Sequence, residues 1–138
     1  AAFTFTAYEF GDVDAVRTGK VVHAPRTLDF EHALTRTVIF TSTVMFDLKK
    51  LGKDDILMEQ VASEDTATWW RILRAGTPAC GLDSVLTIYR RPAESLSSDK
   101  RVAVKRIWNL YRNVFGLSRE KSLRCLFGWA VRATLRRI

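Results

Sequence analysis

The sequence predicts an α/β fold that closes with a pair of amphipathic helices, and three observations predict it. Stretches rich in β-branched and aromatic residues recur from Phe3 to Tyr89, with two helical-period stretches set among them. Past that point the spacing of apolar residues is helical almost throughout. The third observation is bulk: 47% apolar residues, with four Trp and eight Phe in 138 residues, suffice for one domain with a real core.

In chain order, Phe3-Thr-Phe-Thr-Ala-Tyr8 alternates Phe with Thr and runs on to Phe10, which predicts a strand. Its abrupt start suggests a chain cut from something longer. Gly11-Asp-Val-Asp14 reads as a turn. Its D-x-D is of a kind that holds a divalent metal against a diphosphate, but here it lies in a polar connection and not at the end of an apolar strand. Lys20–Ala24 is a short strand stopped by Pro25. His23 there reads as a solvated strand histidine, since His32 stands at no ligand spacing from it. Thr27–Leu34, apolar at 30, 33 and 34, predicts a short helix capped by Thr27 or Asp29.

Val38–Phe46 is largely β-branched and aromatic and predicts a buried strand. Hydroxyls at its centre, Thr41-Ser-Thr43, serve either the sheet's own hydrogen bonds or a pocket wall. Asp47–Gln60 is a solvated connection. Ser63–Gly76 then predicts a helix: Ser63 as N-cap, Glu64 and Asp65 in the first turn, Trp69, Ile72 and Leu73 on one side, Gly76 as the stop. Ser-Glu-Asp is also how ordinary helices begin, because acids are favoured at the positive end of the helix dipole. Two short strands follow, Ala79–Leu82 and Val85–Tyr89, the second delivering Arg90 and Arg91 to its end. Paired guanidinium groups suit phosphate, and solvated strand-end charges are the plainer alternative.

Ser95–Ser98 marks a boundary, so that residues 1–97 form a body and 98–138 a basic helical hairpin. The first tail helix carries Val104, Ile107, Trp108, Tyr111, Val114 and Phe115 on one stripe and stops at Gly116. Ser118 caps the second, where Leu123, Leu126, Phe127, Ala130, Val131, Thr134, Leu135 and Ile138 form a stripe.

Charge is segregated in the same way. The net charge is +7, yet residues 100–138 hold eleven Lys/Arg against Glu120, a net +10, which leaves −3 on the first 99. That asymmetry points to a polyanionic surface. The hairpin docks on the body with its cations solvated, or lies at an interface with its apolar stripe and Trp129 toward lipid and its cations toward anionic headgroups, or binds nucleic acid. No recognisable nucleic-acid motif, basic-aromatic strand platform or zinc spacing is present, which argues against the last. No apolar run approaches the ~18 residues of a membrane span. Cys80 and Cys125 read as free thiols of a reducing compartment.

The order of parts then carries a resemblance. Phe3-x-Phe-Thr-Ala-Tyr-Glu-Phe10, Lys20–Pro25, Ser42-Thr-Val-Met-Phe-Asp47, Glu64-Asp65 with Trp69 four residues on, Leu86-Thr-Ile-Tyr-Arg90 leading to Ser95-Leu-Ser-Ser-Asp-Lys100, Trp108–Arg112 and Leu117–Ser122 occur in that sequence. Taken together they resemble the C-terminal half of bacterial family 2 glycosyltransferases, those building teichuronic acid, capsule or other surface polysaccharides. The resemblance covers essentially the whole chain. It implies part of a GT-A fold, with a mixed sheet and helices on both faces. It implies an inverting enzyme that moves a sugar from a nucleotide-sugar donor to a polysaccharide or lipid-linked acceptor, cytoplasmic and peripheral to the inner face of the plasma membrane.

By the same resemblance Asp65 is the general base, with Glu64 its neighbour. Arg90 and Arg91 lie near the leaving diphosphate, and Trp69, Thr41 and Ser42 complete the substrate-binding set. Relatives often carry a His soon after Tyr-Arg, where Pro92-Ala-Glu stands in this chain. The intact enzyme would use Mg or Mn, whose D-x-D ligands belong to the donor-binding half that this chain lacks. The expectation is therefore a chain that by itself neither binds a nucleotide sugar well nor turns over. From a different class, the alternative is a non-catalytic module whose basic helices bind an anionic membrane or nucleic acid.

Overall fold

In the computed structural model, residues 1–91 and 100–137 are described, without the side chains of Arg136 and Arg137. The expected boundary at Ser95–Ser98 and the Pro92-Ala-Glu segment lie outside them.

The fold is α/β around a five-stranded mixed sheet. Strand β1 (Phe3–Gly11) is its organiser. One edge of β1 pairs antiparallel with β4 (Met45–Phe46) at its start and with β2 (Arg17–Val22) at its end. The other edge pairs parallel with β5 (Ala79–Arg90), whose far edge takes β3 (Thr27–Leu28). The Phe/Thr alternation does what period 2 dictates: Phe3, Phe5 and Ala7 are buried between half-buried Thr4 and Thr6. The alternation then breaks, and Tyr8 and Glu9 are both buried where the register against β5 shifts. The Glu9 carboxylate accepts from Gly19 N–H at 3.0 Å and faces Arg17 at 3.6 Å, so its charge is compensated.

The two strands expected at 79–82 and 85–89 are one strand with a bulge. Thr6 pairs with Leu82 and Ala7 with Val85, which leaves Asp83 and Ser84 out of the ladder. The extruded Asp83 carboxylate accepts from Ala24 N–H at 3.1 Å and meets His23 Nδ1 at 3.1 Å. Those two contacts, the backbone donor first, hold its pKa below the usual carboxylate value. Gly81 is required beside this bulge, because a Cβ there would stand 1.9 Å from the Pro25 carbonyl oxygen.

Three other expectations are corrected. Thr27–Leu28 is strand β3, and the helix α1 (Phe30–Ala33) begins only after Asp29, whose side chain caps it by accepting from His32 N–H. The buried strand expected over Val38–Phe46 does not form. Residues 37–40 are irregular, Thr41–Thr43 is a 3₁₀ turn, and only Met45–Phe46 pairs. The hydroxyls explain this, since Thr43 Oγ1 donates to the Phe40 carbonyl at 2.7 Å and offers the backbone a local partner in place of a ladder. Ser63 precedes the helix α2 (Glu64–Arg74) as expected, yet it sits in the left-handed region (φ 59°, ψ 49°) and makes no capping bond.

Helix α2 buries Ala67, Thr68, Trp69, Trp70, Ile72 and Leu73. Arg71 ties it to the preceding 3₁₀ segment, Lys53–Ile56, through the carbonyls of Asp55 and Leu57. The tail forms α3 (Lys100–Asn109), a π-helical turn over Leu110–Val114, a Gly116 stop at φ 65°, and α4 (Arg119–Arg137). Ser118 Oγ accepts from Lys121 N–H, the expected cap. The tail shares the body's core: Tyr111 is fully buried, stacks on Trp70 at 5.5 Å and 7°, and donates its hydroxyl to the Leu34 carbonyl. Arg74 donates to the Phe115 carbonyl at 3.0 Å. Of the orientations left open for the α4 stripe, the outward one is found, but with Trp129 on the opposite side, against the body. Leu126 is half-buried, but Leu123, Phe127, Val131 and Leu135 face solvent, and the side that meets the body carries Ser122, Cys125 and Trp129.

Candidate functional site

Asp65 is the second residue of α2, where unpaired backbone N–H groups make the helix end positive. Its Oδ1 accepts from Thr66 N–H at 2.8 Å, and its Oδ2 accepts from Thr41 Oγ1 at 3.2 Å. The second contact joins the 3₁₀ turn Thr41–Thr43 to the start of α2, so two segments hold one carboxylate. Asp65 is half-buried while Glu64 and Ser42 are exposed. With one bond on each oxygen, the carboxylate keeps lone pairs free to take a proton.

Asp65 lines a cavity of about 230 Å³ together with Trp69, Arg36, Phe40, Tyr8 and Tyr89. A second cavity, also of about 230 Å³, shares Tyr8, Thr37 and Tyr89 with the first and adds Arg91, Trp129 and Ala133. The rings of Tyr8, Phe40 and Tyr89, with Phe40–Tyr89 at 4.5 Å and Tyr8–Phe40 at 5.2 Å, form the apolar wall common to that region. A further cleft, about 580 Å³, runs between β2 and the end of α4 over Arg36–Val38 and is not lined by Asp65.

The structure brings together some of the expected residues and separates others. Asp65, Trp69 and, through its hydrogen bond, Thr41 converge. Arg90 and Arg91 part company, because consecutive residues of an extended chain face opposite ways. Arg91 continues the pairing by donating its N–H to the Gly11 carbonyl, and its guanidinium lies 4.7 Å from the Phe10 ring centroid, on the cavity side. Arg90 is exposed and lines neither cavity. Trp69 is 4% exposed and packs against Phe3 at 5.6 Å and Phe46 at 5.8 Å. Its buried Nε1 has no hydrogen-bond partner, an unpaired donor in a residue that lines the cavity.

Three contributors escaped the sequence. Arg36 carried no signal. Tyr89 stood in view inside Tyr-Arg but was read for the arginine. Trp129, set toward lipid in the interfacial reading of the hairpin, faces the body and lines the second cavity, which only the rotation of α4 decides.

Among the described residues, no group of three or more His, Cys, Asp or Glu could hold a metal ion. The Asp12-x-Asp14 pair is a turn: Asp12 Oδ1 accepts from the N–H of Asp14 and of Val16, both at 2.9 Å. Among the described residues, then, no set of side chains fits a resident divalent cation.

No protein-family model and no solved structure matches the chain. Two curated proteins do. Over 138 residues, 99% of this chain, it is 35% identical to TuaG of Bacillus subtilis, whose name assigns it to glycosyl transfer in teichuronic acid biosynthesis. Over 134 residues, 97% of this chain, it is 29% identical to WfaP of Escherichia coli, named as the UDP-Glc:alpha-D-GlcNAc-diphosphoundecaprenol beta-1,3-glucosyltransferase. These matches take in 54% and 51% of the two proteins, so the chain spans about half the length of the curated relatives it matches. The resemblance to bacterial surface-glycan glycosyltransferases, first carried by motifs, thus holds along nearly the whole chain.

Proposed function

Proceeding from that similarity, we propose that the chain is the base-bearing part of an inverting family 2 glycosyltransferase with a GT-A fold. The full protein transfers a sugar from a nucleotide-sugar donor to a polysaccharide or lipid-linked acceptor in cell-surface glycan synthesis. The observation that carries the reading is Asp65: a carboxylate held from two sides at a helix N-terminus, on the wall of a cavity backed by aromatic rings.

In this mechanism an acceptor hydroxyl enters the cavity and donates its hydrogen bond to Asp65. Its oxygen attacks the anomeric carbon as the bond to the donor's diphosphate breaks, and the proton passes to Asp65. The Thr41 hydroxyl and the Thr66 N–H keep the carboxylate in place beforehand. Arg91, and Arg36 on the wall of Asp65's own cavity, are the cations disposed to meet negative charge growing on the leaving group. The exposed position of Arg90 leaves it outside this set, and Trp69 supplies the cavity wall and an unpaired N–H. Glu64, exposed beside Asp65, adds negative potential. Mg or Mn, which such an enzyme uses on its donor diphosphate, is assigned no ligand in this chain.

The test is Asp65→Asn in the full-length protein. Transfer should fall about 10²–10⁴-fold, the range for losing a general base, with donor binding unchanged. Transfer at the parental rate would remove Asp65 from the role.

A further inference from the structure

Helix α4 turns a continuous apolar stripe to solvent. Leu123, Phe127, Val131 and Leu135 are 57%, 74%, 42% and 65% exposed, and their i, i+4 spacing stacks them along one side of the helix. The side packed on the body is a different one, marked by buried Ser122 and by Cys125 and Trp129 against the core. Arg119, four residues before Leu123, heads the same row, Arg124 lies about 100° round the helix from Leu123, and both are exposed. Lys105 and Arg106 are exposed on the neighbouring α3, and Glu120 is the one acid between residues 100 and 138.

These features select one occupant by complementarity. A second copy of the chain would bring the same excess of positive charge to the contact. Nucleic acid would satisfy the cations and leave the leucines and phenylalanine in water. An anionic lipid surface satisfies both, being apolar in depth and negative at its face. No helix among the described residues is long and apolar enough to cross a membrane, so the fitting geometry is a helix lying in the plane of the interface.

We infer that α4 docks the protein on an anionic lipid surface, with Leu123, Phe127, Val131 and Leu135 entering the headgroup–acyl boundary and Arg119 and Arg124 meeting headgroups. This rests on exposure and charge and not on the proposed sugar transfer, so either reading can fail without the other. The test is flotation of the whole chain with vesicles of phosphatidylcholine alone or with about a third phosphatidylglycerol. Partition into the anionic vesicles should be at least about tenfold greater and fall as salt is raised. The double variant Leu123→Glu with Phe127→Glu should lose it while keeping parental circular dichroism. Phe127→Ser, a smaller change at an exposed site, should lower it partway. Arg119→Glu with Arg124→Glu should abolish the preference for anionic vesicles.

Equal partition into both vesicle types would overturn the inference. So would binding that survives both stripe variants, whether to vesicles or to an oligonucleotide, because charge alone would then explain it. Sedimentation showing a parental dimer that Phe127→Ser dissociates would assign the stripe to contact between copies and overturn it as well.

Discussion

Helices α2 and α4 carry apolar residues at the same spacing and use them in opposite ways. In α2 the periodic residues Trp69, Ile72 and Leu73 enter the core, and Trp70, off their strict spacing, enters with them. In α4 the most regular stripe of the chain stays outside. Periodicity defines a stripe on a helix and does not say which side meets the body. For α4 the neighbours decide. Gly128 lets the helix approach Thr35 so closely that a Cβ would lie 3.0 Å from the Thr35 Cγ2, and Lys121 reaches Glu31 at 2.8 Å from the same region of the helix. A side built of Leu and Phe has no such access.

The comparison predicts a wide gap between two aromatic truncations. Trp70→Ala removes a 2%-exposed ring stacked on Tyr111 and edge-on to Phe115 at 5.5 Å, and should cost about 3–5 kcal/mol in urea unfolding. A loss under about 1 kcal/mol would mean that the α2 core is loosely packed.

An intermediate effect belongs to the residue that joins the two helical regions. Tyr111→Phe leaves the Leu34 carbonyl without its donor and should cost about 1–3 kcal/mol. It should also change the alkaline limb. Burial, with Cys125 nearby, raises the Tyr111 hydroxyl well above the usual value near 10. The folded state therefore keeps this proton while the unfolded chain gives it up. Tyr111's stabilising contribution is complete below pH ~10 and is lost as pH climbs from there toward the folded pKa. Melting temperatures of the parent should fall above pH ~10 more steeply than those of Tyr111→Phe; parallel curves would count against a buried, protonated Tyr111.

The smallest effect is expected at the exposed stripe. Phe127→Ala should change unfolding stability by less than about 0.5 kcal/mol. A cost above about 1 kcal/mol would show that the ring is covered in solution, by a partner or by another part of the chain.

Particular residues show how much was legible. The extent of α2, from Ser63 to the Gly76 stop, could be read directly, and so could β1 from its Phe/Thr alternation. The Val38–Phe46 stretch misled, because β-branched composition fits a strand while hydroxyl-to-backbone bonds and the lack of a partner beyond Phe3–Thr4 decide otherwise. At the candidate site, Asp65 was singled out by Glu-Asp-x-x-x-Trp. Its bond to Thr41, 24 residues away, was not. The splitting of Arg90 from Arg91 follows from strand alternation, and it becomes consequential only once the wall that Tyr8 and Tyr89 build is known.

The sequence by itself determined the local features: the strand at Phe3–Phe10, the α2 helix, the two tail helices, the basic tail and the ordered motifs that carry the resemblance. These depend on short-range spacing and side-chain chemistry. Tertiary structure alone decided the central place of β1 among three partners, the bulge that frees Asp83 for His23, the turn that brings Thr41 to Asp65, and the outward stripe of α4. Each of these is a contact between residues far apart in the chain, and each is set by which surfaces fit together, a quantity that no window of neighbouring residues contains.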